Sequence, residues 1–286
     1  MRSIVVLCLG LLSFQLVQAQ GAHLGLRIGL NSAHFQGTAE ENSSFSNLPG
    51  FHVGPTFSYG FTDIMGLRGE LIFSQKGSKY TYDGPSYFTI RKNGQFITTS
   101  GTRNMSVAIN NNYIDVPLMF YTLLFERLDV SVGGYASILV GSTGRGDLNY
   151  SGKRDNSNAV VGPIKFLLDQ NFFRDKAGTT SSTATQTIKL EGDQIVLPER
   201  LGAYYEYKAK PDGSKYNVLD YGLCGALHYR LSSGLYAGVR YQLGLSDVSN
   251  DDFDISYKSL DQAKEFNLIP AKYLNRSLQF SIMLQL

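Results

Sequence analysis

The feature that most constrains this chain is an alternation of apolar and polar residues with a period of two. Residues 235–245 are a clear example, since Leu, Ala, Val, Tyr, Leu and Leu alternate there with Tyr, Gly, Arg, Gln and Gly. This alternation indicates a β-strand with one buried face. The same pattern predicts eight strands, near residues 24–31, 51–61, 67–76, 113–121, 128–140, 219–229, 235–246 and 277–286. Most have the length of about 9–11 residues that a tilted strand needs to cross a bilayer.

The connections between these strands alternate in length. Short turns are predicted at residues 62–63, 125–126 and 231–233, and long polar stretches near 36–50, 77–112, 141–218 and 246–276. Short periplasmic turns and long extracellular loops are typical of outer-membrane barrels. With an even number of strands, both termini lie on the periplasmic side.

The position of the apolar face decides between a soluble and a membrane protein. The interior of an eight-stranded barrel is only just wide enough to be filled by side chains, and the Gly, Ser, Asp and Arg face fits it. The Leu, Val and Phe face, turned outward in water, would exceed the apolar patches that soluble monomers tolerate. In a bilayer this apolar face can contact lipid. Closing the strands into a ring also gives every backbone N–H and C=O group a hydrogen-bond partner, as the membrane interior requires. We therefore predict an all-β fold, a closed up-and-down antiparallel transmembrane β-barrel of eight strands.

The N-terminal segment predicts export. Arg2 precedes a short apolar run from Ile4 to Leu12, and Val17-Gln18-Ala19 resembles a signal-peptidase site. The run is too short for a membrane-spanning helix, which needs about 20 residues. We expect residues 1–19 to be a signal peptide and residues 20–286 to form the outer-membrane barrel domain with its loops.

Composition excludes several classes of function. The formal net charge is +2, and loss of Arg2 with the signal peptide leaves +1, so nothing indicates nucleic-acid binding. The chain has 2 cysteines, Cys8 and Cys224. The mature chain therefore has no internal disulfide and no CxxC redox motif, and we interpret Cys224 as a packing residue.

The long stretches contain further strand signals. Asn93-Gly94 is a strong turn signal and predicts a hairpin over residues 86–98 that extends the third and fourth strands above the membrane. Residues 164–173 are apolar enough to fold back onto the barrel mouth. Residues 188–197 and 201–209 form a candidate second hairpin. If both crossed the membrane the barrel would have ten strands, an alternative that the charges in the first segment disfavour.

Two prolines lie inside predicted strands. Pro55 and Pro117 cannot donate a backbone hydrogen bond, and a closed barrel has no edge strand that would tolerate them. We expect a β-bulge or a locally wide strand pair at each position.

Charged residues on the inward face are the candidate functional residues. Buried charges must be paired or hydrogen-bonded. We expect Glu70 and Asp115 to face Arg68 or Lys76, and Asp220 to pair with Arg240. The predicted lumen charge network comprises Arg68, Glu70, Lys76, Asp115, Asp129, Asp220 and Arg240, with Arg27 also pointing inward. It fits a plugged lumen, which we prefer, and a narrow selectivity path.

No pattern indicates catalysis. The four histidines, His23, His34, His52 and His228, form no HxH or HExxH motif. The His, Ser and Asp residues do not cluster at shared strand ends, as a hydrolase site requires. We predict no cofactor, no metal site and no enzymatic activity.

Four segments resemble the PorT-like outer-membrane β-barrel family. They are residues 19–20, 70–77, 113–118 and 238–245, and the resemblance extends over the mature chain with 141–218 matching least. It implies a porin-like outer-membrane barrel. One member of that family is linked to a protein secretion apparatus. The chain departs from the usual pattern of such barrels by ending in Leu286 rather than in an aromatic residue.

The preferred function is a non-enzymatic envelope scaffold whose surface loops bind a partner or a surface. Alternatives are a narrow porin-like channel for small solutes, a component associated with secretion across the outer membrane, a barrel enzyme, and a soluble lipocalin-like binder. The expected partners are outer-membrane lipid, the barrel-assembly machinery and an unidentified surface or secretion partner.

Overall fold

The computed structural model describes residues 21–286 except residues 93, 94, 158, 179 and 181. The predicted signal peptide, residues 1–19, lies outside the described residues. Within the described part of the chain the one helical element is the short 3₁₀ helix Asp251–Phe253. No helix in that part is long and apolar enough to cross a membrane.

Eight long strands pair in chain order, each antiparallel to the next. They are β1 (Ala22–Thr38), β2 (Leu48–Gly60), β3 (Met65–Glu70 and Ile72–Lys92), β4 (Gln95–Leu124), β5 (Leu128–Arg154), β6 (Leu219–Ser232), β7 (Leu235–Gly244) and β8 (Lys272–Gln285). The ring closes because β1 also pairs with β8, with Leu26 opposite Leu284. The prediction of eight antiparallel strands is confirmed.

The ten-strand alternative is wrong. Its first segment folds on itself, because Thr185–Leu190 pairs with Asp193–Pro198 in a separate two-stranded sheet. Glu191 and Gly192 adopt positive φ angles of 54° and 88° at the turn. The predicted partner, residues 201–209, contributes only the end of the short strand Arg200–Leu201, which pairs in parallel with Val160–Asn171.

The long strands reverse their polarity along their length. In the half that ends in the short turns, which we call the turn end, the outward residues are apolar: Phe120 and Val132 are 62% and 67% exposed. Further along β4, the inward residues Met105, Val107 and Ile109 are apolar and buried. The reversal is expected for strands that leave a bilayer, because their outer face then meets water. An outward apolar face in the barrel half contradicts the lipocalin-like alternative.

The strands continue far past the barrel as a sheet that we call the extension. It consists of β3, β4 and β5 beyond about residues 76, 111 and 142, with Val160–Asn171 added beside β5 and Ser43–Ser46 beside β3. The predicted hairpin is confirmed by the pair Lys92–Gln95, and its turn lies outside the described residues. Much of the stretches 77–112 and 141–171, interpreted as loop from sequence, is therefore paired strand.

The extension has its own apolar core. Residues 164–173, expected to fold onto the barrel mouth, lie mostly in the added strand, and Ile164, Phe166 and Leu168 point into this core. Phe88 of β3 stacks on Phe166, with ring centroids 5.0 Å apart. The molecule thus has a polar interior in the barrel and an apolar interior above it.

Pro55 of β2 and Pro117 of β4 flank a single break in β3, at Leu71. The register between β2 and β3, and that between β4 and β3, is the same on both sides of the break. The expected β-bulges are therefore absent. Instead the ladder opens locally, because neither proline has an N–H to donate, although the Leu71 N–H still donates to the Pro55 carbonyl at 3.1 Å.

Candidate functional site

Glu70 occupies the centre of the lumen. Its carboxylate accepts hydrogen bonds from Arg27 of β1 at 2.9 and 3.1 Å and from Arg240 of β7 at 2.5 Å. The three side chains are at most 1% exposed. Strands β1, β3 and β7 are not neighbours in the ring, so these ion pairs cross the lumen and fill it at this level.

A second ion pair lies nearer the turn end. Arg68 of β3 donates to Asp129 of β5 at 2.6 Å, and Ser131 donates to the other oxygen of Asp129 at 2.8 Å. His228 of β6 lies between the two levels, with Nε2 next to the Arg27 guanidinium and Nδ1 3.5 Å from Asp129. The two lower levels of charge therefore form one connected group.

A third level lies toward the extension. The Lys76 ammonium is 3.0 Å from Asp115 and 3.9 Å from Asp220, and it lies over the ring of Tyr135 at 4.6 Å. Asp220 also accepts a hydrogen bond from Asn275 of β8 at 2.9 Å. This group ties β3, β4, β6 and β8 together across the upper lumen.

The structure places all seven residues of the predicted network in the lumen, none more than 5% exposed. The Lys76–Asp115 pair forms as expected, whereas the other expected pairs do not. Glu70 binds Arg27 and Arg240 rather than Arg68, and the expected Asp220–Arg240 pair is not formed. The reason is register: Arg240 lies opposite Ala226, six residues along β6 from Asp220, a separation of about 20 Å at 3.4 Å per residue.

The lumen opens at the turn end of this network. A cavity of about 410 Å³ there is lined by Tyr121, Arg230 and Tyr236 and reaches the Arg68–Asp129 pair. Beyond that pair the side chains of Arg27, Glu70 and Arg240 are inaccessible to water. A water-filled pore would expose the charges that line it, so the interior at this level is closed.

A buried arginine outside the predicted lumen network holds part of the extension together. Arg103 of β4 donates two hydrogen bonds to Glu206, at 2.7 and 2.8 Å, and one to the Tyr87 carbonyl at 2.8 Å. Its guanidinium lies 4.5 Å from the ring centre of Tyr257. The pair fixes the segment 202–217 onto the sheet. No sequence signal connects positions 103 and 206.

We expect Arg103→Met to loosen that segment. Hydrogen bonds to charged groups contribute about 1.5–3 kcal/mol, and local opening controls proteolysis, so tryptic cleavage after Lys208 is expected to accelerate about tenfold or more. The measurement is the rate of limited trypsin digestion of the folded protein. Arg145→Met is the control, because the Arg145 side chain is 81% exposed; equal rates for the two variants would contradict the role of Arg103.

The described residues contain no cluster of candidate metal ligands, since no three His, Cys, Asp or Glu side chains among them converge. His52 is buried in the lumen, and its Nδ1 is 2.6 Å from Asn31 Oδ1. Cys224 is buried beside Met119 and Tyr135, consistent with packing.

An eight-stranded ring with an apolar outer belt, short turns at one end and a polar interior defines the class of outer-membrane β-barrels. The chain belongs to the family described as the outer membrane protein beta-barrel domain, whose profile matches residues 18–250. A closer relation to the PorT-like members stays a prediction. No curated protein sequence matches the chain.

Several solved structures of outer-membrane proteins are similar to this one. The attachment invasion locus protein Ail of Yersinia pestis is 9% identical, with 94% of this chain and 100% of Ail covered and a TM-score of 0.33. Neisserial surface protein A is 10% identical, with coverages of 93% and 100% and a TM-score of 0.35. OprG of Pseudomonas aeruginosa is 9% identical, with coverages of 93% and 96% and a TM-score of 0.32.

Proposed function

We propose that this outer-membrane barrel is a non-enzymatic scaffold with a filled lumen, whose extension presents a surface to a partner outside the cell. The observation that carries the proposal is the pair of ion bridges from Glu70 to Arg27 and Arg240, which cross the lumen with side chains at most 1% exposed. A barrel closed in this way supports another structure rather than conducting solutes.

The extension is built as a rigid surface. Strands β3 and β4 pair without interruption from Ile72–Asp115 to Lys92–Gln95, and the inner face packs on the apolar core. The outer face of β4 is polar, with Thr102 and Asn104 exposed. A polar face on a rigid sheet suits recognition outside the membrane, since it loses little conformational entropy on binding.

Conductance tests the filled lumen. The purified protein, refolded into a planar bilayer, is expected to give no discrete current steps, because ions have no water-filled path past Glu70. A second outer-membrane barrel with an open lumen, inserted in the same bilayer, shows that the assay detects pores. Reproducible unitary steps from the wild-type protein would favour the channel alternative and contradict the scaffold.

Photo-crosslinking on intact cells tests the recognition surface. A photoreactive amino acid at Asn104, on the outer face of the extension, is expected to give a discrete adduct. The same group at Thr62, in a turn at the opposite end of the barrel, is the matched control and should not give that adduct. Identical adduct patterns at both positions would contradict recognition by the extension.

A further inference from the structure

A second, smaller cavity of about 70 Å³ lies in the extension, away from the lumen network. Its floor is the inner face of β4 and β5, and its roof is formed by residues 201–207, 215–216 and 253–257. Its wall is largely aromatic, with Phe45, Tyr80, Phe172, Phe253, Tyr257 and Tyr273 among the lining residues.

Asp254 carries an unpaired carboxylate in this wall. The residue is 2% exposed, and neither of its carboxylate oxygens has a hydrogen-bond partner among the described residues. Burial raises the pKa of this carboxyl to about 6, against the opposing effects of Lys215 and of the Ser249 hydroxyl, which lies nearby but outside hydrogen-bond geometry. A buried carboxylate without a partner is strongly unfavourable, so the site lacks a donor that would complete it.

Lys215 supplies the opposite charge to the same cavity. Burial lowers the pKa of its ammonium, and the Asp254 carboxylate acts in the opposite direction. The two groups do not form an ion pair, since Asp254 has no partner. The wall therefore offers one anion and one cation that are close enough to influence each other and too far apart to bind each other.

The other charged pair of the wall is already neutral. Arg103 and Glu206 bind each other through two hydrogen bonds, so they add no net charge to the wall, although Arg103 Nε has no partner among the described residues. Asp254 and Lys215 line the same cavity with opposite charges, which also sum to zero. A ligand that binds both groups through opposite charges is therefore neutral overall and carries both an ammonium and a carboxylate.

We propose that this cavity binds a small zwitterionic amino acid, with its ammonium on Asp254 and its carboxylate on Lys215. The size agrees, because 70 Å³ holds roughly five or six water-sized groups at about 10–15 Å³ each, the size of an amino acid with a very small side chain. The aromatic wall suits the ammonium, because cations are attracted to ring faces. Binding at this site is expected whether or not the lumen is filled.

Three ligands of similar size test the proposal on the wild-type protein. Titration calorimetry at pH 7.5 compares L-alanine with L-alaninamide, which keeps the ammonium and loses the carboxylate, and with isobutyrate, which keeps the carboxylate and loses the ammonium. L-alanine is expected to bind saturably, and each of the other two at least tenfold more weakly. No saturable binding of L-alanine, or equal binding of L-alaninamide, would overturn the proposal.

Variants assign the two charges. Asp254→Asn and Lys215→Met are each expected to weaken L-alanine binding at least tenfold. The controls are Asp252→Asn and Lys153→Met, both at exposed positions, which should bind as the wild type does. Heat-modifiable gel migration shows that each variant is folded. Unchanged binding by a folded Asp254→Asn or Lys215→Met protein contradicts the assignment, and the ligand series decides the proposal if either variant fails to fold.

Discussion

Replacing Glu70 with glutamine is expected to lower the free energy of unfolding by about 3–5 kcal/mol. The substitution removes the carboxylate shared by Arg27 and Arg240, and both guanidinium groups then remain buried without a counter-charge. The cost comes from those uncompensated charges more than from lost attraction. The measurement is urea-induced unfolding of the protein in lipid vesicles, followed by heat-modifiable gel migration.

Two further variants separate this effect from a general one. Glu265→Gln changes an exposed residue of the last long connection and should shift stability by no more than about 0.5 kcal/mol. Replacing Arg27, Glu70 and Arg240 together with methionine should restore stability close to the wild type, because a buried ion network often exchanges neutrally for well-packed apolar residues. A Glu70→Gln protein as stable as wild type would show that water reaches the bridge, contrary to a filled lumen.

The second large effect is expected on the outer face. Val132→Arg should destabilise the barrel by about 2–4 kcal/mol, because a charge on the lipid face of a barrel must leave water. On a surface that faces water the same change would usually cost no more than about 0.5 kcal/mol. Vesicle unfolding again provides the measurement.

The extension offers a matched control for this substitution. Val160 is 68% exposed and Val132 is 67% exposed, but Val160 lies on the added strand above the barrel. Val160→Arg should therefore be nearly neutral. Equal costs at the two positions would put both in the same solvent and would contradict a lipid-facing belt around the lower half.

Period-two alternation predicted the barrel well but ended its strands too early. In the extension the alternation continues in the opposite sense: Val107 and Ile109 are inward and apolar, while Ser106 and Ala108 lie on the other face. A rule that places the apolar face outside throughout therefore misses the strand between the barrel and the predicted hairpin over residues 86–98. The period-two alternation of apolar and polar residues is the same in lipid and in water. It therefore does not show where along a strand the outer face passes from lipid to water.

The sequence predicts which residues belong to the lumen network. It does not predict most of the ion pairs that these residues form. Inward position follows from alternation, so Glu70 and Arg240 were both identified. Partners across neighbouring strands require the register, and the Glu70–Arg240 pair spans the lumen between strands that do not touch. The cavity is harder still, because Lys215 and Asp254 come from two separate long connections whose conformation has no periodic signal.

The break at Leu71 has a consequence for how the barrel wall is held. Pro55 and Pro117 contribute no N–H beside this break, so the wall has fewer backbone hydrogen bonds there than elsewhere along β3. Glu70 is the residue next to the break, and it reaches inward to strands on the far side of the ring. The ion pairs of Glu70 thus anchor, from inside the lumen, the part of β3 that has the fewest backbone hydrogen bonds to its neighbours. The buried side chains of this barrel therefore brace its wall.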